Sequence, residues 1–158
     1  MNVIFLDVDG VLNYKNCTAR CGKYIGIDDD KVKLLARLVD ANDAKIVLVS
    51  TWKENWYTEP NKHKQDYMAN YLDEKLRLAG LFILDKTPNK YDEYLGRGEG
   101  IVVYVHTHDV KRFVILDDYQ YDYDSCDLTD YWVKTDYNVG LTEENVLQAI
   151  KIMEKDWQ

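Results

Sequence analysis

Asp7 and Asp9 stand two residues apart at the end of an apolar run, Val3-Ile4-Phe5-Leu6, and Gly10 follows at once. Two carboxylates this close repel each other unless a cation lies between them, so the pair points to a divalent metal ion. Gly10 lets the chain turn sharply away from the pair. Plain turns with solvated acids use the same letters, so Asp-x-Asp-Gly alone decides nothing. Two further stretches repeat the design. Ile46-Val47-Leu48-Val49 ends in the hydroxyls of Ser50 and Thr51, and Phe113-Val114-Ile115-Leu116 ends in Asp117 and Asp118, with Asp122 four residues further on. Taken singly, Ser50 reads as a helix N-cap and Asp117-Asp118 as a turn. An exposed helix start also favours a bound phosphate, so both readings of Ser50 are compatible. Taken together, two acid-tipped runs and one hydroxyl-tipped run supply the hard oxygen ligands and phosphate contacts that magnesium sites use.

The elements that must position these residues can be read from the same chain. Each apolar run is short and continuous, the pattern of a strand buried on both faces of a parallel sheet. Open α/β sheets keep their sites at the carboxyl ends of the strands, which would gather the three tips at one edge. Asp28-Asp29-Asp30 opens a helix with Val32, Leu35, Ala36 and Val39 on one face, and Asn42 is its left-handed stop. A second helix is expected over 62–79, with Met68, Tyr71, Leu72 and Leu76 on one face, followed by a strand at 81–84. Residues 101–105 have strand propensity. They lie between two parallel strands, however, and such a connection needs a helix, so a helix is assigned there with Arg97 near its start. A strand at 131–135 and a final helix capped by Thr142 complete the order. Residues 11–27 form a turn and a small hairpin or flap. The fold class is therefore α/β: one Rossmann-like, three-layer domain over 1–158 with a mostly parallel sheet and no large cap.

Composition narrows the class of function. Hydrophobic residues are 46% and charged residues 30%, which suits a soluble globular chain. No apolar run approaches the roughly 18 residues that a membrane span needs. The first residues lack the basic segment of a signal peptide, so a cytoplasmic location is expected. The net charge of −8 disfavours non-specific contact with a nucleic-acid backbone. Cys17-x-x-x-Cys21 lacks histidines at a recognised zinc spacing, and reduced thiols are expected.

Asp7-Val8-Asp9-Gly10-Val11, the strand ending in Ser50 and the strand ending in Asp117-Asp118 resemble motifs I, II and IV of the haloacid dehalogenase (HAD) superfamily of phosphotransferases. Ser50-Thr51-Trp52-Lys53, Val133-Lys134-Thr135 and Gly140-Leu141-Thr142 resemble a HAD subgroup of RNA-repair-type proteins. The resemblance implies a magnesium-dependent phosphomonoester hydrolase. Asp7 would be the nucleophile and Asp9 the general acid and base. Asp7, the Asp9 backbone carbonyl and Asp118 would hold Mg2+, and Asp117 would orient or join that shell. Ser50 and Thr51 would meet the phosphate. The family's motif III lysine has no clear counterpart. Arg97 is the first candidate, equally readable as a solvated charge, and Lys90 and Lys86 are alternatives.

The gap between motifs I and II is too short for a large cap, so either a bulky substrate or a partner that closes the site is expected, a nucleotide or nucleic-acid end among the candidate substrates. Trp52, Trp56, Tyr57, Tyr119, Tyr121 and Tyr123 could stack on a base, but core and rim packing is the stronger reading in a chain with 13 tyrosines. The weak motif III keeps a second expectation open: a catalytically idle HAD-like domain that binds a phosphorylated ligand or a protein partner.

Overall fold

The computed structural model describes residues 1–88 and 96–158. Its centre is a five-stranded sheet in the order β5-β4-β1-β6-β7, in which every neighbouring pair is parallel. The strands are β1 (Asn2–Leu6), β4 (Ala44–Leu48), β5 (Ile83–Lys86), β6 (Arg112–Asp117) and β7 (Trp132–Lys134). A two-stranded antiparallel hairpin, β2 (Arg20–Cys21) and β3 (Tyr24–Ile25), stands apart from the sheet. The helices are α1 (Asp29–Asn42), α2 (Tyr67–Arg77), α3 (Arg97–Thr107) and α4 (Glu143–Ile152). The architecture is thus α/β and Rossmann-like, as read from the sequence.

β1 is buried between β4 and β6, which explains its unbroken run of apolar side chains. Its alternate residues feed two different cores. Ile4 and Leu6 pack with Leu35, Leu38, Leu72, Leu76 and Val146, from α1, α2 and α4. Val3 and Phe5 pack on the other face with Ile101, Tyr104 and Val105 of α3. Phe5 meets Tyr104 and Phe113 edge-on, at centroid distances of 5.7 and 5.6 Å. Burying one such ring contributes about 1.5–3 kcal/mol.

Residues 101–105 are helical despite their strand propensity. The chain must return from β5, at one edge, to β6 on the far side of β1, and a parallel crossover spans that distance with a helix. Tertiary demand outweighs local preference there. Other boundaries shift. The left-handed stop of α1 is Asp43 (φ 45°), one residue past Asn42. α2 starts at Tyr67, because Asp66 caps it through the Ala69 N–H. β5 begins two residues later than expected, since its pairing with β4 starts only at Ile83 and shifts register after Ile46.

The strand order sets where a site can form. From β1 the chain builds outward through β4 to β5, then crosses back to β6 and β7. The reversal lies between β1 and β6, and ligands of open α/β sheets bind in the crevice at such a switch point. Among the described residues, the segments on that edge between β1 and α2 are the hairpin and two short 3-10 turns, Thr51–Asn55 and Lys62–Lys64. No helix among the described residues is long and apolar enough to cross a membrane.

Candidate active site

The carboxyl ends of β1 and β6 bring Asp7, Asp117 and Asp118 together. One carboxylate oxygen from each lies within 4.8 Å of the others. The parallel register carries past the strand ends, with the Asp7 N–H donating to the Leu116 carbonyl at 3.0 Å. Asp7 is 4% exposed and Asp117 fully buried. Burial, then the neighbouring Asp117 charge, raises the Asp7 carboxyl well above the ordinary carboxylate range. Burial and Asp117 also raise Asp118.

One cation is built into this cluster. The Arg97 guanidinium donates to Asp117 Oδ2 at 2.8 Å and lies 3.3 Å from Asp7 Oδ1. Burial alone would lower its pKa, but the charges of Asp7 and Asp117 outweigh that and raise it. The Tyr121 ring covers the guanidinium at 4.0 Å from its centroid. Arg97 is the first residue of α3, whose N-cap, Gly96, has no side chain to offer. Asp122 supplies the cap from outside the helix, accepting from the Gly98 and Glu99 N–H groups at 2.6 and 3.2 Å. Asp122 therefore positions Arg97's helix and is not a further acid of the cluster.

Asp117 is saturated. Its Oδ2 also accepts from the Tyr123 hydroxyl at 2.6 Å, and its Oδ1 from the Tyr119 N–H at 3.2 Å. Those bonds hold the carboxylate as an orienting group, whereas Asp118 is only partly buried and sits across from Asp7. Gly10 makes that approach possible. Its φ is +82°, and a Cβ there would lie 2.5 Å from Asp118 Cγ and Oδ2. Hard oxygen donors, crowded and mutually repelling, fit a magnesium-sized cation held by Asp7 and Asp118 with Asp117 behind them.

Asp9 has a different setting. It is exposed, and its carboxylate stands apart from the trio. Asn13 Nδ2 donates to its Oδ1 at 2.8 Å, and the Trp52 indole N–H donates to its Oδ2 at 3.1 Å. Ser50 is buried and accepts the Trp52 N–H at 3.2 Å, capping the 3-10 turn, while Thr51 is exposed at the first position of that turn. Both lie just beyond Leu48, the register partner of Leu6. Of the two alternatives for the basic residue, Lys86 alone is among the described residues. Lys86 donates to the Lys53 carbonyl at 2.8 Å and lies over the Tyr57 ring, and Lys90 is outside the described residues.

Residues 3–146 match the family model described as the HAD domain in Swiss Army Knife RNA repair proteins. The chain belongs to this family. A search of curated proteins and a search of solved structures return no match. Membership of a HAD family supports a hydrolase of phosphatase type, and the acid cluster stands at the switch-point edge of the sheet.

Several residues that shape this candidate site were not singled out from the sequence. Asn13 is fully buried; besides holding Asp9, it accepts the Gly10 N–H at 2.9 Å and donates to the Gly26 carbonyl. Its place three residues after a turn glycine was a readable signal, since Asn favours such local closures. Thr135 donates to the Gly10 carbonyl at 2.7 Å across 125 residues of chain. No local pattern could reveal that contact. Trp56 and Tyr123 are core residues, as the packing reading of the aromatics expected. Cys17 and Cys21 are buried, free thiols.

Proposed function

We propose that the protein is a magnesium-dependent phosphomonoester hydrolase working through an aspartyl-phosphate on Asp7. The observation that carries this reading is the Arg97 guanidinium lodged between Asp7 and Asp117 beside Asp118. It puts a fixed positive charge next to the nucleophile, where the phosphoryl oxygens would arrive. An Mg2+ ion held by Asp7, Asp118 and the Asp9 backbone carbonyl would neutralise charge on the transferring group.

The chain's own groups divide the remaining work. An Asp7 carboxylate oxygen attacks phosphorus as the ester P–O bond breaks, and Asp9 gives a proton to the leaving oxygen. Water then attacks the phosphorus of the acyl phosphate, Asp9 takes its proton, and the Asp7 carboxylate is released with inorganic phosphate. The bonds from Asn13 and Trp52 aim Asp9 at the leaving-group side. Ser50 and Thr51, at the tip of β4, are the candidates for holding phosphoryl oxygens. The short segments around the edge favour an open site and a bulky ester, with a nucleotide or nucleic-acid end as the first choice. The alternative of an idle phosphate-binding domain rested on the missing basic partner of Asp7, and Arg97 at 3.3 Å weighs against it.

The test is magnesium-dependent hydrolysis of an aryl phosphate by the wild type and by Asp7→Asn. The variant should lose the activity by at least about a thousandfold. Wild-type turnover retained in Asp7→Asn would sink the mechanism.

A further inference from the structure

Beside Asp9 lies a recess of about 210 Å³ whose other lining residues are Tyr24, Ile25, Trp52, Met68 and Tyr137. They come from separate parts of the chain: the β2–β3 hairpin, the 3-10 turn after β4, helix α2 and the loop before α4. Trp52 is 7% exposed and spends its one side-chain donor on Asp9, so what its side chain shows the recess is ring surface. Tyr24 and Tyr137, by contrast, are 46% and 42% exposed, on an acidic protein that could have used charge there. Met68 adds a polarizable thioether. Among the described residues Asp9 is the sole charge in the lining, and these residues offer no cation to a second phosphate. Its volume corresponds to about seven waters of bulk liquid, room for one planar ring system rather than a folded chain.

We propose that this recess is the leaving-group subsite and that it takes a planar heteroaromatic ring, as carried by a nucleoside. This rests on the hydrolase reading for one point, that Asp9 protonates the ester oxygen. The acid that would touch that oxygen also lines the recess, so the group bonded to it is delivered there. Aromatic side chains hold bases by stacking, which every base supports, so the subsite selects for a ring and is tolerant of its identity. A free mononucleotide and the last nucleotide of a strand present the same ring.

Two measurements test this. In the first, kcat/KM is compared for adenosine 5′-monophosphate, a short phosphate-ended oligonucleotide and glycerol phosphate, using wild type, Tyr24→Ala, Tyr137→Ala, the two Tyr→Phe variants and Phe82→Ala on the distant β5 edge. The preference for ring-bearing esters over glycerol phosphate should fall about tenfold or more in each alanine variant. It should be restored in the phenylalanine variants and be unaffected in Phe82→Ala. In the second, the Trp52 indole N–H resonance of Asp7→Asn is followed with magnesium present. Adenosine 5′-monophosphate should shift it, whereas glycerol phosphate and inorganic phosphate should not.

An equal preference in wild type and alanine variants, with turnover intact, overturns the subsite and leaves the hydrolase standing. Ring-selective shifts of Trp52 without turnover of any ester leave the subsite standing and overturn the hydrolase. Identical shifts from all three ligands overturn the subsite. Whether the mononucleotide or the oligonucleotide is turned over faster decides the source of the ring.

Discussion

The two acids of Asp7-Val8-Asp9 sit in opposite surroundings. Asp7 is buried among like charges and locked to one guanidinium. Asp9 is exposed, held by two neutral donors, and borders a recess walled by exposed tyrosines. Asp7 follows Leu6 directly and still pairs with β6 through its N–H, whereas Asp9, two residues further on, is left to the loops. The inner region is built from strand ends and one helix start, with Asp117 saturated by its partners. The outer region is built from loop, turn and hairpin residues. Charge that must stay fixed during a reaction belongs on the first, and recognition of a variable group belongs on the second.

That contrast can be broken most directly at Arg97. Arg97→Ala should lower kcat/KM about 100- to 1000-fold. It should also destabilise the fold by about 3–5 kcal/mol, because Asp117 and Asp7 lose their buried cation. Arg97→Lys should recover only part, since lysine cannot form the fork or lie flat against Tyr121. Steady-state kinetics with thermal denaturation would separate the two losses, and an alanine variant with both intact would show that the inner region does not depend on its cation.

Gly10→Ala comes next. The added methyl would push Asp118 aside at a φ of +82°, so magnesium affinity should fall about 10- to 100-fold while Asp9 keeps its two donors. Titration calorimetry is the check.

Acidity sharpens the comparison further. The carboxyls of Asp7 and Asp118 are raised above their unfolded values. Their contribution to stability is therefore fully present below the unfolded range, about pH 4, and is lost as pH rises through the folded values. A bound cation opposes that loss, but at low pH it must displace protons to enter. The gain in melting temperature on adding magnesium should thus grow as pH rises from about 5 to 8. A gain independent of pH would place the cation away from these acids. The smallest effect is expected at Asp122, where Asp122→Ala removes the cap of α3 and should cost about 1 kcal/mol. A few-fold drop in kcat should accompany it, through Arg97.

Much of this arrangement is legible in the sequence. Continuous apolar runs such as Val3 to Leu6 specify buried strands locally, because no other element buries both faces over so few residues. Acids and hydroxyls placed immediately after such runs inherit the strand's end as an address, so Asp7, Ser50 and Asp117 could be assigned to one edge. The helix at 101–105 was recoverable only because the order of the strands around it constrained it. The role of Asp122 was not legible, because spacing on a chain says how far a carboxylate can reach, not which partner competes for it. Two bare N–H groups at the start of α3 claimed it.

What the sequence determined by itself is therefore the sheet, its edge and the residue types delivered there, since each follows from local pattern and connection rules. What only the tertiary structure decided is pairing. Arg97 is twenty residues from Asp117 and ninety from Asp7, and Tyr24 and Tyr137 come from opposite ends of the chain. Such meetings depend on where packed elements happen to converge, and no local energy term in the chain records them.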